Sequence, residues 1–133
     1  MFLPSLITGN LINKYGPSKI MYAGTFFYLL TIIMSFFEPN FMNYLISLIL
    51  LGIGWNFLYI SGTSLLVTTY QEHEKFKAQG FNDLVVFSAT AIGSLSAGIL
   101  VSITSWKVIN LMCIPFLILI LFSIIKADTK KDI

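Results

Sequence analysis

The chain has 133 residues, of which 56% are hydrophobic and only 11% charged, and its mean hydropathy is +0.85. Eight lysines, no arginine and six acidic residues give a net charge of +2. These figures exclude a soluble globular domain, disorder beyond the last residues 129–133, and the basic footprint of a nucleic-acid binder. A single cysteine, Cys113, supports neither an internal disulfide nor, alone, a metal site.

The charges are clustered, leaving four long uncharged stretches between Lys19 and Glu38, Glu38 and Glu72, Asp83 and Lys107, and Lys107 and Lys126. About 20 apolar residues cross a bilayer core as a helix. The fold class is therefore an all-α integral membrane protein with four full spans. Runs this continuous lack the alternation of barrel strands, and a bilayer interior admits only helices or closed barrels.

In chain order, residues 1–12 are apolar but reach only about 18 Å as a helix, too short to span. They are expected to be the end of a helix whose beginning is missing. They lack the basic n-region and cleavage site of a secretory signal. A polar turn is expected over Gly9–Lys19, with Gly16 stopping one helix and Pro17 starting the next. The first span is read as 20–37, closed by a tight Glu38-Pro39-Asn40 turn. The second, 41–69, exceeds the bilayer thickness and must tilt or project. A charged loop, Gln71–Lys77, leads to the third span at 78–105; the fourth covers 106–125, with a kink expected at Pro115. Residues 126–133 form a lysine-bearing tail.

Seven of the eight lysines (Lys14, Lys19, Lys75, Lys77, Lys126, Lys130 and Lys131) fall on one side of the membrane in this scheme, and Lys107 on the other. By the positive-inside rule the C-terminus is cytoplasmic. The expected location is the plasma (inner) membrane.

Polar residues inside spans are the default functional candidates. Gly52, Asn56, Tyr59 and Thr63 recur at i, i+4, i+7 and i+11, one helix face, with Trp55 beside Asn56. A mid-span amide needs a partner, either a neighbouring helix or a substrate in a wet cavity. Asp83, near the start of the third span, either complements the helix dipole or makes a gating contact with a loop lysine such as Lys14. Ala89, Gly93, Ser94, Ala97 and Gly98 show small-xxx-small spacing and are expected to pack helices. His73 sits alone in the charged loop and reads as solvated. Nothing has the pattern of a nucleophile–base pair, a phosphate loop, a metal centre or a haem motif, so neither an enzyme nor a cofactor is expected.

The run Gly9-x-Leu11-Ile12-Asn13-Lys14-Tyr15-Gly16-x-x-Lys19 resembles the loop motif of the major facilitator superfamily, G-x-L-a-D-R/K-x-G-R/K-R/K. Gly9, Leu11, Lys14 and Gly16 match. Lys19 lies one position beyond the family's basic pair, and Asn13 replaces the family's Asp. That Asp belongs to a charge relay holding the cytoplasmic gate, so the resemblance implies a weakened relay, typical of the motif's second copy between helices eight and nine. Ala89-xxx-Gly93-Ser94-Leu95-Ser96-Ala97-Gly98 resembles a degenerate copy of the family's antiporter motif, with Ser94 in place of Pro. A first-half placement would require a membrane-embedded Arg, and the chain has none.

The resemblance implies the end of helix eight through helix twelve, the C-terminal portion of a twelve-helix bundle. It implies a small-molecule substrate, a lipid environment, and the missing N-terminal half of the carrier as partner. Transport would be ion-coupled, with Gly52, Trp55, Asn56, Tyr59 and Thr63 lining the cavity and Gly9–Lys19 forming the cytoplasmic loop. The competing class is a non-transporting four-helix scaffold that binds a partner through its small-residue faces. A small four-helix multidrug exporter ranks last, because its resemblance would imply a carboxylate within 20–37, where there is none.

Overall fold

The structure is a computed structural model that describes residues 2–38 and 40–129. It contains α1 (Phe2–Tyr15), α2 (Pro17–Met34), α3 (Phe41–Val67), a 3-10 turn (Glu72–Glu74), α4 (Lys75–Ile103), α5 (Trp106–Met112) and α6 (Ile114–Thr129). Among the described residues four segments are long and apolar enough to cross a membrane: α2, α3, α4, and Trp106–Asp128 spanning α5 and α6.

The first connection is far shorter than the polar turn expected over Gly9–Lys19. Helix α1 runs on through Tyr15, and only Gly16 separates it from α2. Buried Ile12 anchors the last turn of α1, and the Gly16 amide closes that turn on the Ile12 carbonyl at 2.8 Å. Gly16 adopts φ 86° and ψ 154°, a conformation essentially confined to glycine. Pro17 then supplies the first helical position, where its missing N–H leaves no bond unmade.

Of the expected turn at Glu38-Pro39-Asn40, Pro39 lies outside the described residues. Asn40 caps α3, its side-chain oxygen accepting from the Asn43 amide at 2.9 Å, while Asn43 Nδ2 donates to the Glu38 carbonyl at 2.6 Å. The link from α4 to α5 is Thr104–Ser105, and Trp106 packs edge-on against Tyr44 with ring centroids 5.4 Å apart. The fourth span is interrupted at Cys113, two residues before Pro115. Proline has no N–H to offer the preceding turn, and the Cys113 amide tightens onto the Asn110 carbonyl at 3.1 Å, a one-turn 3-10 closure. Lys130 and Lys131 of the tail lie outside the described residues.

Helix α2 is the hub: it packs most extensively on α3 and also meets α1, α5 and α6. The α2–α3 crossing is built on two glycines. A Cβ placed on Gly24 would lie 3.0 Å from the Gly54 carbonyl oxygen, and one on Gly54 would lie 3.0 Å from that of Gly24. Two backbones approach this closely only where neither carries a side chain. Phe27 and Phe57 close over the crossing edge-to-face at 5.8 Å.

Small residues were expected to pack helices along Ala89, Gly93, Ser94, Ala97 and Gly98. That packing is not made within this chain. Helix α4 has no buried residue, all five positions are exposed, and a Cβ on Gly93 or Gly98 would meet nothing within 4 Å. The reason is positional: α4 touches only α5 and the 3-10 turn extensively, so its small-residue face has no helix opposite.

Hydroxyls within the helices mostly fold back on their own backbone. Thr25, Thr31, Ser47 and Thr63 each donate to the carbonyl four residues earlier, at 2.7–3.0 Å. Such bonds satisfy a polar group in an apolar setting without a second helix.

Candidate functional site

The second expected span supplies the polar face, and the structure divides it. Asn56 is buried at 8% exposure and turns toward α1, where Thr8 Oγ1 donates to its Oδ1 at 2.7 Å. Of the two partners open to this amide, a neighbouring helix takes it. Thr63 spends its hydroxyl on the Tyr59 carbonyl at 2.8 Å, and Gly52 is half-buried.

Trp55 and Tyr59, one turn apart, stay open. Their rings lie nearly parallel, 9° between planes with centroids 6.1 Å apart, and Trp55 keeps 37% of its surface exposed. The Tyr59 hydroxyl points across to α4 and donates to Asp83 Oδ1 at 3.4 Å; Asn82 Nδ2 approaches the same oxygen, also at 3.4 Å. One turn nearer the start of α4, Gln79 Nε2 donates to the Tyr70 hydroxyl at 2.9 Å. Gln79 and Asp83 share a face at i, i+4. Two tyrosines therefore tie the first third of α4 to the last third of α3 and to the turn that follows it.

Asp83 does not occupy the place expected for a dipole partner. Helix α4 begins at Lys75, so Asp83 is two turns inside, about 12 Å along the axis at 1.5 Å per residue, beyond the first turn where the dipole acts. The alternative contact with Lys14 is also absent among the described residues. The Lys14 ammonium instead lies 5.2 Å from the centroid of the Tyr15 ring. Of the loop motif, Gly9, Leu11, Asn13 and Lys14 occupy the last two turns of α1, Gly16 the link, and Lys19 the first turn of α2. In the charged loop His73 is exposed, with Nε2 3.9 Å from Glu74 Oε1.

Toward the end of α3 lies a cavity of about 580 Å³, within the usual range of ligand pockets. Gly62, Leu65 and Leu66 of α3, Asn82 of α4 and Ala127 of α6 line it. A smaller apolar cavity of about 240 Å³ lies at the Cys113 break, between Tyr28, Thr31, Leu51, Asn110 and Phe116. A third, of about 290 Å³, lies at the opposite end of the bundle, among Ser35, Tyr44, Trp106 and Lys107.

Sequence reasoning missed Thr8, Tyr70, Gln79, Asn82 and Ser61. Thr8 is a polar residue in an apolar run and could have been paired with Asn56 on that ground. Ser61, Gln79 and Asn82 are likewise polar residues inside the expected spans, whereas nothing in the sequence signals Tyr70. Ser61 is fully buried, and its Oγ has no hydrogen-bond partner among the described residues.

Residues 1–132 match the family model of the Major Facilitator Superfamily. Over 125 residues the chain is 35% identical to the riboflavin transporter RfnT of Brucella anthropi, an alignment covering 94% of this chain and 31% of that protein. It is 33% identical over 114 residues to the uncharacterized MFS-type transporter YdeG of Bacillus subtilis, covering 84% of this chain and 26% of that one. The transporter YddS of the same organism is 28% identical over 113 residues, covering 84% and 26%. The chain thus spans between a quarter and a third of the length of the curated relatives it matches. No solved structure matches it significantly.

Proposed function

The chain belongs to the major facilitator superfamily, and from that premise we propose that it is the C-terminal portion of a secondary carrier that moves a small organic molecule across the membrane. Four spans and a partial helix correspond to the end of helix eight through helix twelve. The carrier is completed by an N-terminal remainder, against which this portion rocks around a site near the midplane. Transport is driven by an ion gradient. The lysine-rich end of the bundle faces the cytoplasm of the plasma (inner) membrane, following the positive-inside rule.

The observation that carries this reading is the family match over residues 1–132. The wholly exposed small-residue face of α4 supports a missing partner bundle. Likeness to a riboflavin transporter over 94% of the chain makes riboflavin the first substrate to test. Trp55, Tyr59 and Asp83 form the substrate-facing wall, with Gly52 and Thr63 on the same helix; Asn56 holds α1 in register with α3. The Gly9–Lys19 segment is the hinge at the cytoplasmic end.

The test is uptake of radiolabelled riboflavin by a riboflavin auxotroph expressing the complete reading frame that contains these residues. Uptake above the empty-vector level that collapses with a protonophore or sodium ionophore is the expected result. Uptake untouched by either ionophore would overturn the coupling. Absence of transport for riboflavin and for a panel of other small metabolites, with the protein present in the membrane, would overturn the carrier reading in favour of a scaffold.

A further inference from the structure

Asp83 is the acidic residue that lies within a span, near the start of the third and two turns inside α4; Glu38, Glu72, Glu74, Asp128 and Asp132 all fall in turns, loops or at the C-terminal end. A carboxylate within a membrane helix is a functional candidate by default. Its surroundings do not use it fully. Both of its hydrogen bonds reach Oδ1, both are long at 3.4 Å, and both come from neutral donors, Tyr59 and Asn82. Oδ2 has no hydrogen-bond partner among the described residues, and Asp83 has no ion pair among them. The carboxylate is half-exposed, and its partner Tyr59 stacks on the open Trp55.

We propose that Trp55, Tyr59 and Asp83 form a recognition site for a flat heteroaromatic molecule bearing an N–H donor on its ring edge, with the ring against the Trp55–Tyr59 wall and the N–H donating to Asp83 Oδ2. The inference rests on the carrier reading and deepens it by naming the substrate's chemistry. Trp55 and Tyr59 stack, and the outer face of a stacked pair offers a flat surface that rewards a flat π-system. An acceptor-only carboxylate demands a donor, and a hydrogen bond to an ionised acceptor is among the stronger kinds. No arginine exists in the chain and no lysine lies in the middle of a span, so these helices offer the site no cation with which to hold a phosphate or carboxylate substrate. The Tyr59 hydroxyl, already aimed at Oδ1, holds the carboxylate so that Oδ2 is the oxygen left for the ligand.

The experiment compares two probes on the full-length protein in lipid vesicles: riboflavin, whose ring imide carries an N–H, and riboflavin methylated at that nitrogen. Binding is read by quenching of flavin fluorescence, and uptake is measured in parallel. The wild type should bind riboflavin about tenfold or more tighter than the methylated probe, the worth of one hydrogen bond to a charged acceptor. Asp83→Ala should erase that preference, and Trp55→Ala should weaken both probes equally. Lys107→Gln, at the opposite end of the bundle, should leave both unchanged. The comparison within the wild type needs no substitution, so misfolding of a variant cannot hide the answer.

Equal affinity of the wild type for the two probes would overturn the proposal. So would a preference that survives Asp83→Ala, or binding of a permanently charged aromatic cation in place of riboflavin. If any of these occurs while the protein still transports some substrate, the carrier reading stands and only this site assignment falls. If nothing is transported at all, the carrier reading falls with it.

Discussion

Replacing Gly24 with Ala puts a methyl group where the α2–α3 crossing has no room. The new Cβ would lie 3.0 Å from the Gly54 carbonyl oxygen, 3.0 Å from Leu58 Cγ and 3.1 Å from Phe57 Cβ. Carbon–carbon contacts are optimal near 3.5–4.0 Å, so the two carbon contacts are short by about half an ångström, and the contact to the carbonyl oxygen by a few tenths. Two of the three are backbone or Cβ atoms, which cannot swing aside as a side-chain tip could. Overpacking of this kind costs about 1–3 kcal/mol, while removing glycine from a helix interior returns about 1 kcal/mol.

Gly24→Ala should therefore destabilise the bundle by a net of up to about 2 kcal/mol. Gly54→Ala meets one equally short contact, 3.0 Å to the Gly24 carbonyl, and two softer ones at 3.3 and 3.4 Å, so its loss should be smaller. The double variant should cost less than the sum, since one separation of the helices relieves both clashes. Gly80→Ala, whose Cβ would meet nothing within 4 Å, provides the control and should be neutral or stabilising. The assay is the midpoint of reversible unfolding in mixed detergent micelles. If Gly24→Ala behaves like Gly80→Ala, the helices do not cross at the glycines and the packing argument is wrong.

The Thr8–Asn56 bond is open to a double-mutant cycle with Thr8→Val and Asn56→Leu, which should return a coupling near 0.6 kcal/mol and below about 1.7, the span found for such bonds in membranes. Additive losses would show that the two side chains do not meet. Gly16→Ala should cost about 1–3 kcal/mol in the same unfolding assay, because φ 86° with ψ 154° strains any residue bearing a Cβ; an unchanged midpoint would mean that the link adopts another conformation. In a Cys113→Ser background, Lys107→Cys should react with a membrane-impermeant maleimide on intact cells, and Lys77→Cys only after permeabilisation. The reverse pattern would invert the orientation derived from the lysines.

The sequence alone determined the membrane class, the four spans, the helix break at Gly16-Pro17 and the family. Each follows from a property that acts along the chain. Twenty uncharged residues can do little in water but leave it, and a bilayer forces their backbones into helices. Gly16 and Pro17 act through their own dihedrals. Span ends were less legible, because local polarity does not stop a helix. Gly9, Asn10 and Asn13 read as a turn, yet α1 continues through them to Tyr15, held by Ile12 against its neighbours.

What only the tertiary structure decided was which helix faces which. A stripe at i, i+4, i+7 and i+11 does not say that Asn56 turns to α1 while Tyr59, only about 60° away round the axis, turns to α4. That choice depends on two neighbours meeting adjacent parts of one face of α3. Small-residue spacing likewise marks a surface able to approach another helix without saying whether one is there. In α4 that surface is bare, and the close approach occurs at Gly24 and Gly54, which belong to no short-range motif because they lie 30 positions apart on separate spans. Pairing across such a distance is fixed by the three-dimensional crossing of helices, which no local pattern encodes.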